Sequence, residues 1–351
     1  MNLLKQVVGI DVSKETLDIC LGRLKLDLSI ELHSYKVFKN TVSGFELLLE
    51  WVKKNTIVDM ELLYVMEATG VYHQKLAYFL DSLNQKVSIV LPNKISNYIR
   101  TLENKTITDK SCSQAIARFG LERKLSIWVK PKDVYKRICQ LTRERDQVVD
   151  ERVIVKNQLH AEKSEAEPHE NTLVRLKERI VFLTNQENEI KKDINILVLN
   201  DQELKRKVEL ACSIPSVGKM TAIVILGETN GFELIRNKKQ LVSYAGLDVI
   251  DKESGTSVKK KPKISKKGNR HIRKSLFMPS LSAIKYNNES KDLFIRIVSK
   301  NGLKIKGLVA VQRKLLELIF TVCKTDTPYI ENYEENKKNR VLSETETLYA
   351  G

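Results

Sequence analysis

The residues of this chain whose types and spacing can do chemistry are carboxylates at the ends of apolar runs. Asp11 closes the run Val7-Val8-Gly9-Ile10-Asp11-Val12, and Glu67 closes Leu62-Leu63-Tyr64-Val65-Met66-Glu67. A carboxylate at the carboxyl end of a buried strand stands at a sheet edge, where α/β domains bind ligands. Asp109 follows Ile107-Thr108 and opens a helical run. Taken alone, it is also what a helix dipole favours in a first turn. Two strand-end carboxylates with a third ahead of a helix match what a divalent cation needs, several converging oxygen ligands.

A second group lies far downstream. Ser254 precedes Gly255 in Glu253-Ser254-Gly255-Thr256-Ser257, at the mouth of a window, Thr256–Lys285, that holds ten Lys/Arg and no Asp/Glu. The chain as a whole carries +16, so this window holds most of the excess. Charge this local points to a polyanion, with Lys259, Lys260, Lys261, Lys263, Lys266, Lys267, Arg270 and Arg273 as the groups that would neutralise its phosphates. On residue types alone, a serine in a polar turn is a turn residue and a charge run is a solvated loop. Upstream, Ile214-Pro215-Ser216-Val217-Gly218-Lys219 resembles a helix-hairpin-helix turn, with Ser216 in place of the usual first glycine. Backbone N–H groups at such a helix start suit a DNA phosphate, which makes Gly218 and Lys219 candidate contacts. A helical turn packed purely for structure accounts for the same residues.

Two frameworks must position these groups. From Gln6 to about Val90, three early strands and then alternating helix and strand predict an α/β domain with a mixed sheet, followed by helices through 94–103 and 110–122. From Asp133 to Asn200 the chain is helical and charge-laced, with Pro168 its one proline, and the polar stretch 164–170 divides it into two long helices able to fold back as a hairpin. Leu173, Leu176, Ile180, Leu183, Ile190, Ile194 and Leu197 form a heptad seam with Glu187 as its polar intruder. That seam packs either on its partner helix or in an oligomeric coiled coil. Residues 205–285 read as a compact helical unit carrying the basic window, and 287–329 as two more helices. The resulting division is 1–130, 131–204, 205–330 and a polar tail, 331–351.

The composition narrows the functional classes. With 351 residues and 42% apolar content, the chain is long enough for two or three cores. No apolar stretch approaches the ~18–20 residues of a membrane span. No secretory pattern precedes the first strand, and the five cysteines are scattered without a C-x-x-C pair, so the expectation is a cytoplasmic protein with neither a disulfide framework nor a zinc knuckle. The five histidines lack metal-ligand spacing, and Trp51 and Trp128 read as packing residues. Tyr72 and Tyr244 are nucleophiles only in principle, since no Arg-His constellation accompanies them.

Gly9-Ile10-Asp11-Val12-Ser13-Lys14, Met66-Glu67-Ala68-Thr69-Gly70 and Thr108-Asp109-Lys110, the last followed by Gln114, Ala115, Ala117, Arg118, Phe119 and Gly120, resemble the DEDD-type insertion-sequence transposases. These are related to the pilin-gene invertases. The stretch Gln240–Leu247, the serine-glycine pair at 254–255, and Lys263 to Asn269 with Arg273 resemble the C-terminal domain of the same family.

The resemblance implies an N-terminal ribonuclease H-like (RuvC-like) domain, a helical coiled-coil region and a mostly α C-terminal transposase domain. It implies Mg2+ held by Asp11, Glu67 and Asp109, and Ser254 as the nucleophile that joins to DNA, with Ser257 the alternative. The partners it implies are DNA at element ends and target, a structured guide RNA, and a second or fourth copy of the chain as homodimer or homotetramer. The cell would be bacterial or archaeal, with the enzyme on the nucleoid when bound. The fourth acidic position departs from the family: Cys112 stands where Thr-Asp-x-x-Asp places its last carboxylate. A thiol is a poor Mg2+ ligand. Two other readings therefore stand beside the transposase: a resolvase-like structure-selective nuclease using water, and a catalytically impaired nucleic-acid-binding descendant.

Overall fold

The computed structural model describes residues 3–68, 70–102, 106–233, 235–254 and 258–331; side chains of Lys252, Ser254, Val258 to Lys261 and Asn301 are also outside the description. Ser257, Gly255 and the tail from 332 onward lie outside the described residues. The chain divides into two compact units, one ending at Lys130 and the other beginning at Pro131. The helical hairpin and the C-terminal helices cluster together in the second unit.

The first unit runs β1 (Leu3–Val12), β2 (Thr16–Lys25), β3 (Ile30–Lys39), α1 (Val42–Asn55), β4 (Leu62–Glu67), α2 (His73–Ser82), β5 (Lys86–Val90), α3 (Pro92–Ile99) and α4 (Asp109–Glu122). Its sheet has the order β3-β2-β1-β4-β5. The first three strands are antiparallel, and β4 and β5 run parallel to β1. This is the ribonuclease H-like sheet.

The strand alternation sorts the faces. Val8, Ile10, Val12, Leu17, Ile19 and Leu21 pack with Phe45, Leu48 and Leu76 from α1 and α2. Val7, Leu63 and Val65 pack on the other side with Ile95, Ile116 and Leu121 from α3 and α4. Gly9 lets α4 ride directly on β1, since a Cβ there would lie 2.3 Å from the Ala117 nitrogen and 2.5 Å from the Ser113 oxygen. Trp128 is docked on the α1/α2 side, its backbone N–H donating to Val87 O at 2.7 Å.

The second unit runs α5 (Asp133–Lys163), α6 (Glu170–Asn200), α7 (Gln202–Cys212), α8 (Lys219–Glu228), a single 3-10 turn (Asn230–Phe232), α9 (Lys238–Tyr244), β6 (Val249–Ser254), β7 (Val258–Ile264), α10 (Arg270–Tyr286), α11 (Asn288–Asn301) and α12 (Lys304–Thr325). The two long helices do fold back on each other, burying Val148 and Val155 against Leu176, Leu183, Ile190 and Ile194. The heptad seam is thus covered by its own partner helix.

Glu187, the polar intruder, is 4% exposed and meets Arg145 at 2.9 Å, Arg152 at 2.6 Å and Lys191 at 2.8 Å. Burial works to raise its pKa, but those hydrogen bonds and charges outweigh it and hold the carboxyl at about 2. One expectation is corrected: the segment after Leu247, read as part of a helical unit, is an antiparallel hairpin with Val249 opposite Ile264 and Ser254 opposite Val258. The lysine run hid the alternation of its apolar residues.

Candidate active site

Three adjacent strands present a carboxylate on the face that α4 covers. Alternation from Val7 and Gly9 puts Asp11 there, and alternation from Leu63 and Val65 puts Glu67 beside it. On β2, Asp18 is directly opposite Asp11 in the antiparallel register. Two residues on from it, and again on from Cys20, Gly22 faces Leu121 and Ala117 of α4, so Asp18 shares that face.

The helix supplies the lid of this pocket. Thr108 caps α4 by a reciprocal pair, its Oγ1 accepting from Ser111 N at 3.2 Å while Ser111 Oγ accepts from Thr108 N at 2.7 Å. Asp109 and Cys112 therefore occupy the first turn, where the positive end of the helix dipole lies.

These carboxylates act on one another. Burial pushes Asp11 up to about 6, and repulsion from Glu67, Asp109 and Asp18 adds to it, against a hydrogen bond from the Val12 backbone. Burial also raises Glu67. Cys112 is pushed up to about 11 by burial and then by Asp11, Glu67, Asp109 and Asp18, so it stays a neutral thiol at neutral pH.

Asp18 is 7% exposed, and its Oδ1 accepts a hydrogen bond from Tyr35 Oη, whose ring carries Lys110 Nζ at 5.2 Å from its centroid. The spacing arguments missed Asp18 because it sits early in an apolar strand, away from the carboxyl end. The register with Asp11 is its only signal.

The donor set fits a hard divalent cation: several carboxylate oxygens, mutually repelled, in a half-buried pocket. As they stand, no three His, Cys, Asp or Glu side chains among the described residues are disposed to hold one ion. Cys112 adds no hard donor.

In the second unit, β6 carries Ser254 at its far end, and β7 carries Lys259, Lys260, Lys261 and Lys263. Lys263, Lys266, Lys267 and Arg270 are exposed. Arg273 is half-buried and spends Nη1 on the Ala245 and Gly268 carbonyls, at 2.7 and 3.1 Å. The hairpin's root is a backbone junction: a Cβ on Gly268 would lie 2.4 Å from Gly246 N, and Asn269 N donates to Tyr244 O at 2.8 Å.

Buried Glu228 fixes this junction. It takes Arg143 Nε and Nη2 at 2.7 and 2.8 Å and Asn269 Nδ2 at 2.5 Å. Tyr244 Oη donates to Glu228 O at 2.9 Å, which gives that hydroxyl a structural role in place of a nucleophilic one. At the helix-hairpin-helix-like turn, Ser216 has φ +76°, the left-handed conformation that a glycine usually supplies, and exposed Gly218 and Lys219 start α8.

Two family profiles match. Residues 8–162 match the DEDD transposase profile of the IS110 group, and residues 208–294 match the Transposase IS116/IS110/IS902 family. The chain belongs to the IS110 family of transposases. This makes it an enzyme of DNA recombination.

Among relatives, the chain is 28% identical over 335 residues to the pilin gene-inverting proteins of Moraxella lacunata and Moraxella bovis, a match covering 94% of this chain and 99% of each of theirs. It is 26% identical over 117 residues to the IS110 43.6 kDa protein of Streptomyces coelicolor, covering 33% of this chain and 29% of that one. Among solved structures, Thermus thermophilus RuvC aligns over 35% of this chain and all of its own, at 13% identity and TM-score 0.27. The fold of this transposase rests on the strand order of its own sheet. The first profile spans Asp11, Glu67, Asp109 and Cys112, and the second spans Ser254 and the basic window. No helix among the described residues is long and apolar enough to cross a membrane.

Proposed function

We propose that this transposase cuts and exchanges DNA strands at specific sites, using its acidic pocket to hold Mg2+ and Ser254 as the nucleophile. The observation that carries the reading is the pocket itself. Asp11 and Glu67 stand at the ends of two strands on the face where the helix start bears Asp109, and burial, with repulsion from Glu67, Asp109 and Asp18 added to it, pushes Asp11 up to about 6.

Bound there, Mg2+ would polarise the scissile phosphate and lower the barrier to attack on it. Ser254 Oγ then forms a bond to phosphorus while the bridging ester oxygen leaves as a hydroxyl. The serine proton passes to solvent and solvent protonates the leaving oxygen, while the phosphoserine bond is kept for rejoining to a new strand. Lys263, Lys266, Lys267 and Arg270, with Lys259, Lys260 and Lys261 on the same hairpin, neutralise the flanking phosphates. Gly218 and Lys219 grip the DNA backbone elsewhere on the same unit. Arg273 supports the hairpin root in addition to its place in the basic window.

The partners that fit are DNA at the element ends and target, a structured guide RNA, and further copies of the chain in a dimer or tetramer. A bacterial or archaeal cytoplasm suits these partners.

The test is a covalent adduct assay on element-end DNA with Mg2+. Wild-type protein is expected to form a protein–DNA adduct, and Ser254→Ala to lose it while DNA binding persists. An undiminished adduct in that variant overturns the assignment, and Ser257→Ala then decides the alternative. Metal-dependent cleavage without any adduct would favour the resolvase-type nuclease, in which water attacks. Binding with no cleavage would favour the impaired descendant, for which Cys112 is the motivating residue.

A further inference from the structure

We propose that Asp18 is the fourth carboxylate of the metal pocket, serving from the neighbouring strand in place of the side chain that Cys112 cannot supply. The inference rests on the metal-holding reading of Asp11, Glu67 and Asp109 given above.

Three geometric facts carry it. First, Asp18 and Asp11 are direct partners across β1 and β2. In an antiparallel pair, side chains directly opposite one another share a face, with Cβ atoms about 4.5–5.5 Å apart. Second, the face is the one that α4 covers, because Gly22, in step with Asp18, lies against Leu121 and Ala117. Asp18 thus shares its side of the sheet with Glu67 and with the helix start that bears Asp109 and Cys112. Third, Asp18 is 7% exposed, and its described hydrogen bond, from Tyr35 Oη, orients one oxygen without adding a cation.

A buried carboxylate with no basic partner is costly unless a cation joins it. Two like charges directly opposite on a sheet also destabilise the pairing. Among the described residues Asp18 makes no ion pair, and it lies directly opposite Asp11, on which Glu67 and Asp109 also act. Tyr35 is the positioning residue: its hydroxyl holds Asp18 Oδ1, and its ring is held by Lys110 from α4. The chemistry is hard-oxygen ligation, directly or through a metal-bound water. A carboxylate provides this and a thiol does not.

The experiment is a titration of the full-length protein, without DNA, with Mn2+ as the paramagnetic probe, following free Mn2+ by electron paramagnetic resonance. Wild-type protein is expected to bind, Asp11→Asn to lose binding, and Asp18→Asn to weaken it by about tenfold or more. Tyr35→Phe, which leaves the carboxylate and removes its tether, is expected to weaken binding severalfold. Adding Cys112→Asp to Asp18→Asn should restore part of the affinity, a rescue that a merely structural Asp18 would not show.

Wild-type affinity in Asp18→Asn, with binding lost in Asp11→Asn, overturns the role of Asp18 and leaves the metal pocket standing. No Mn2+ binding by the wild-type protein overturns the metal pocket and this inference with it. If Asp18→Asn does not fold, Tyr35→Phe decides, and unchanged affinity there overturns the proposal.

Discussion

Glu187 in the helical hairpin and Asp11 in the sheet are both carboxylates drawn out of water, yet their neighbours carry opposite charge. Glu187 has two arginines and a lysine within ion-pair distance, and Glu228 has a bidentate arginine. The charges acting most strongly on Asp11 are those of Glu67, Asp109 and Asp18, all negative. The first arrangement is complete as it stands and locks helices together. The second gathers like charges that none of these neighbours offsets. The contrast separates acids whose charge is paired within the fold from acids whose neighbours share their sign.

The sharpest way to break the comparison is to remove the paired acid. Glu187→Ala leaves Arg145 and Arg152 without their shared partner inside the hairpin and should cost about 3 kcal/mol of stability, read by urea unfolding. A near-neutral result would mean that the arginines reach water easily and that the network is ornamental.

A smaller effect is expected from Gly9→Ala. The added methyl would meet the α4 backbone at 2.3 Å, so the helix must shift, at about 1–3 kcal/mol. That shift carries Asp109 and Cys112 away from the sheet, so metal-dependent cleavage should fall further than stability does. Equal losses would show that the pocket does not depend on the helix seat.

The smallest effect has the opposite sign. The folded pKa of Asp11 is raised from 3.8 to about 6, so the folded state binds that proton more tightly and the protein loses stability as pH rises through this window. Asp11→Asn removes the penalty. In metal-free buffer it should raise the melting temperature by about 2–4 °C at pH 8 and leave it unchanged near pH 3.5, below both values. Glu187 behaves in reverse, since its pKa is lowered from 4.5 to about 2 and its contribution is lost as pH falls through that range. Identical pH profiles for the Asp11 and Glu187 variants would erase the distinction drawn between them.

Much of this was legible along the chain, and the exceptions have physical causes. Asp11 and Glu67 stood out because strand ends are marked by the close of an apolar run, and Asp109 because it opens a helical run. The two long helices and their seam followed from periodicity, and Glu187 stood out as a break in it. Its three basic partners did not, because two of them lie on the other helix and only the hairpin register brings them near. Asp18 was hidden for the same reason. Its pairing with Asp11 exists across two strands and leaves no local trace between Leu17 and Ile19. The β6–β7 hairpin was obscured by lysines, whose high frequency in helices outweighed the short apolar alternation from Val249 to Ile264.

The root of that hairpin has a mechanical consequence. Gly246 and Gly268 touch backbone to backbone, and Arg273 and Asn269 tie them to the helices, so one end of the ribbon is clamped while Ser254 lies at the other. The span from Val249 to Ser254 is about 17 Å at the usual rise per strand residue. The ribbon is a cantilever, and a tilt of about 15° at the clamp would swing its far end by about 4 Å, more than the length of a bond being made or broken.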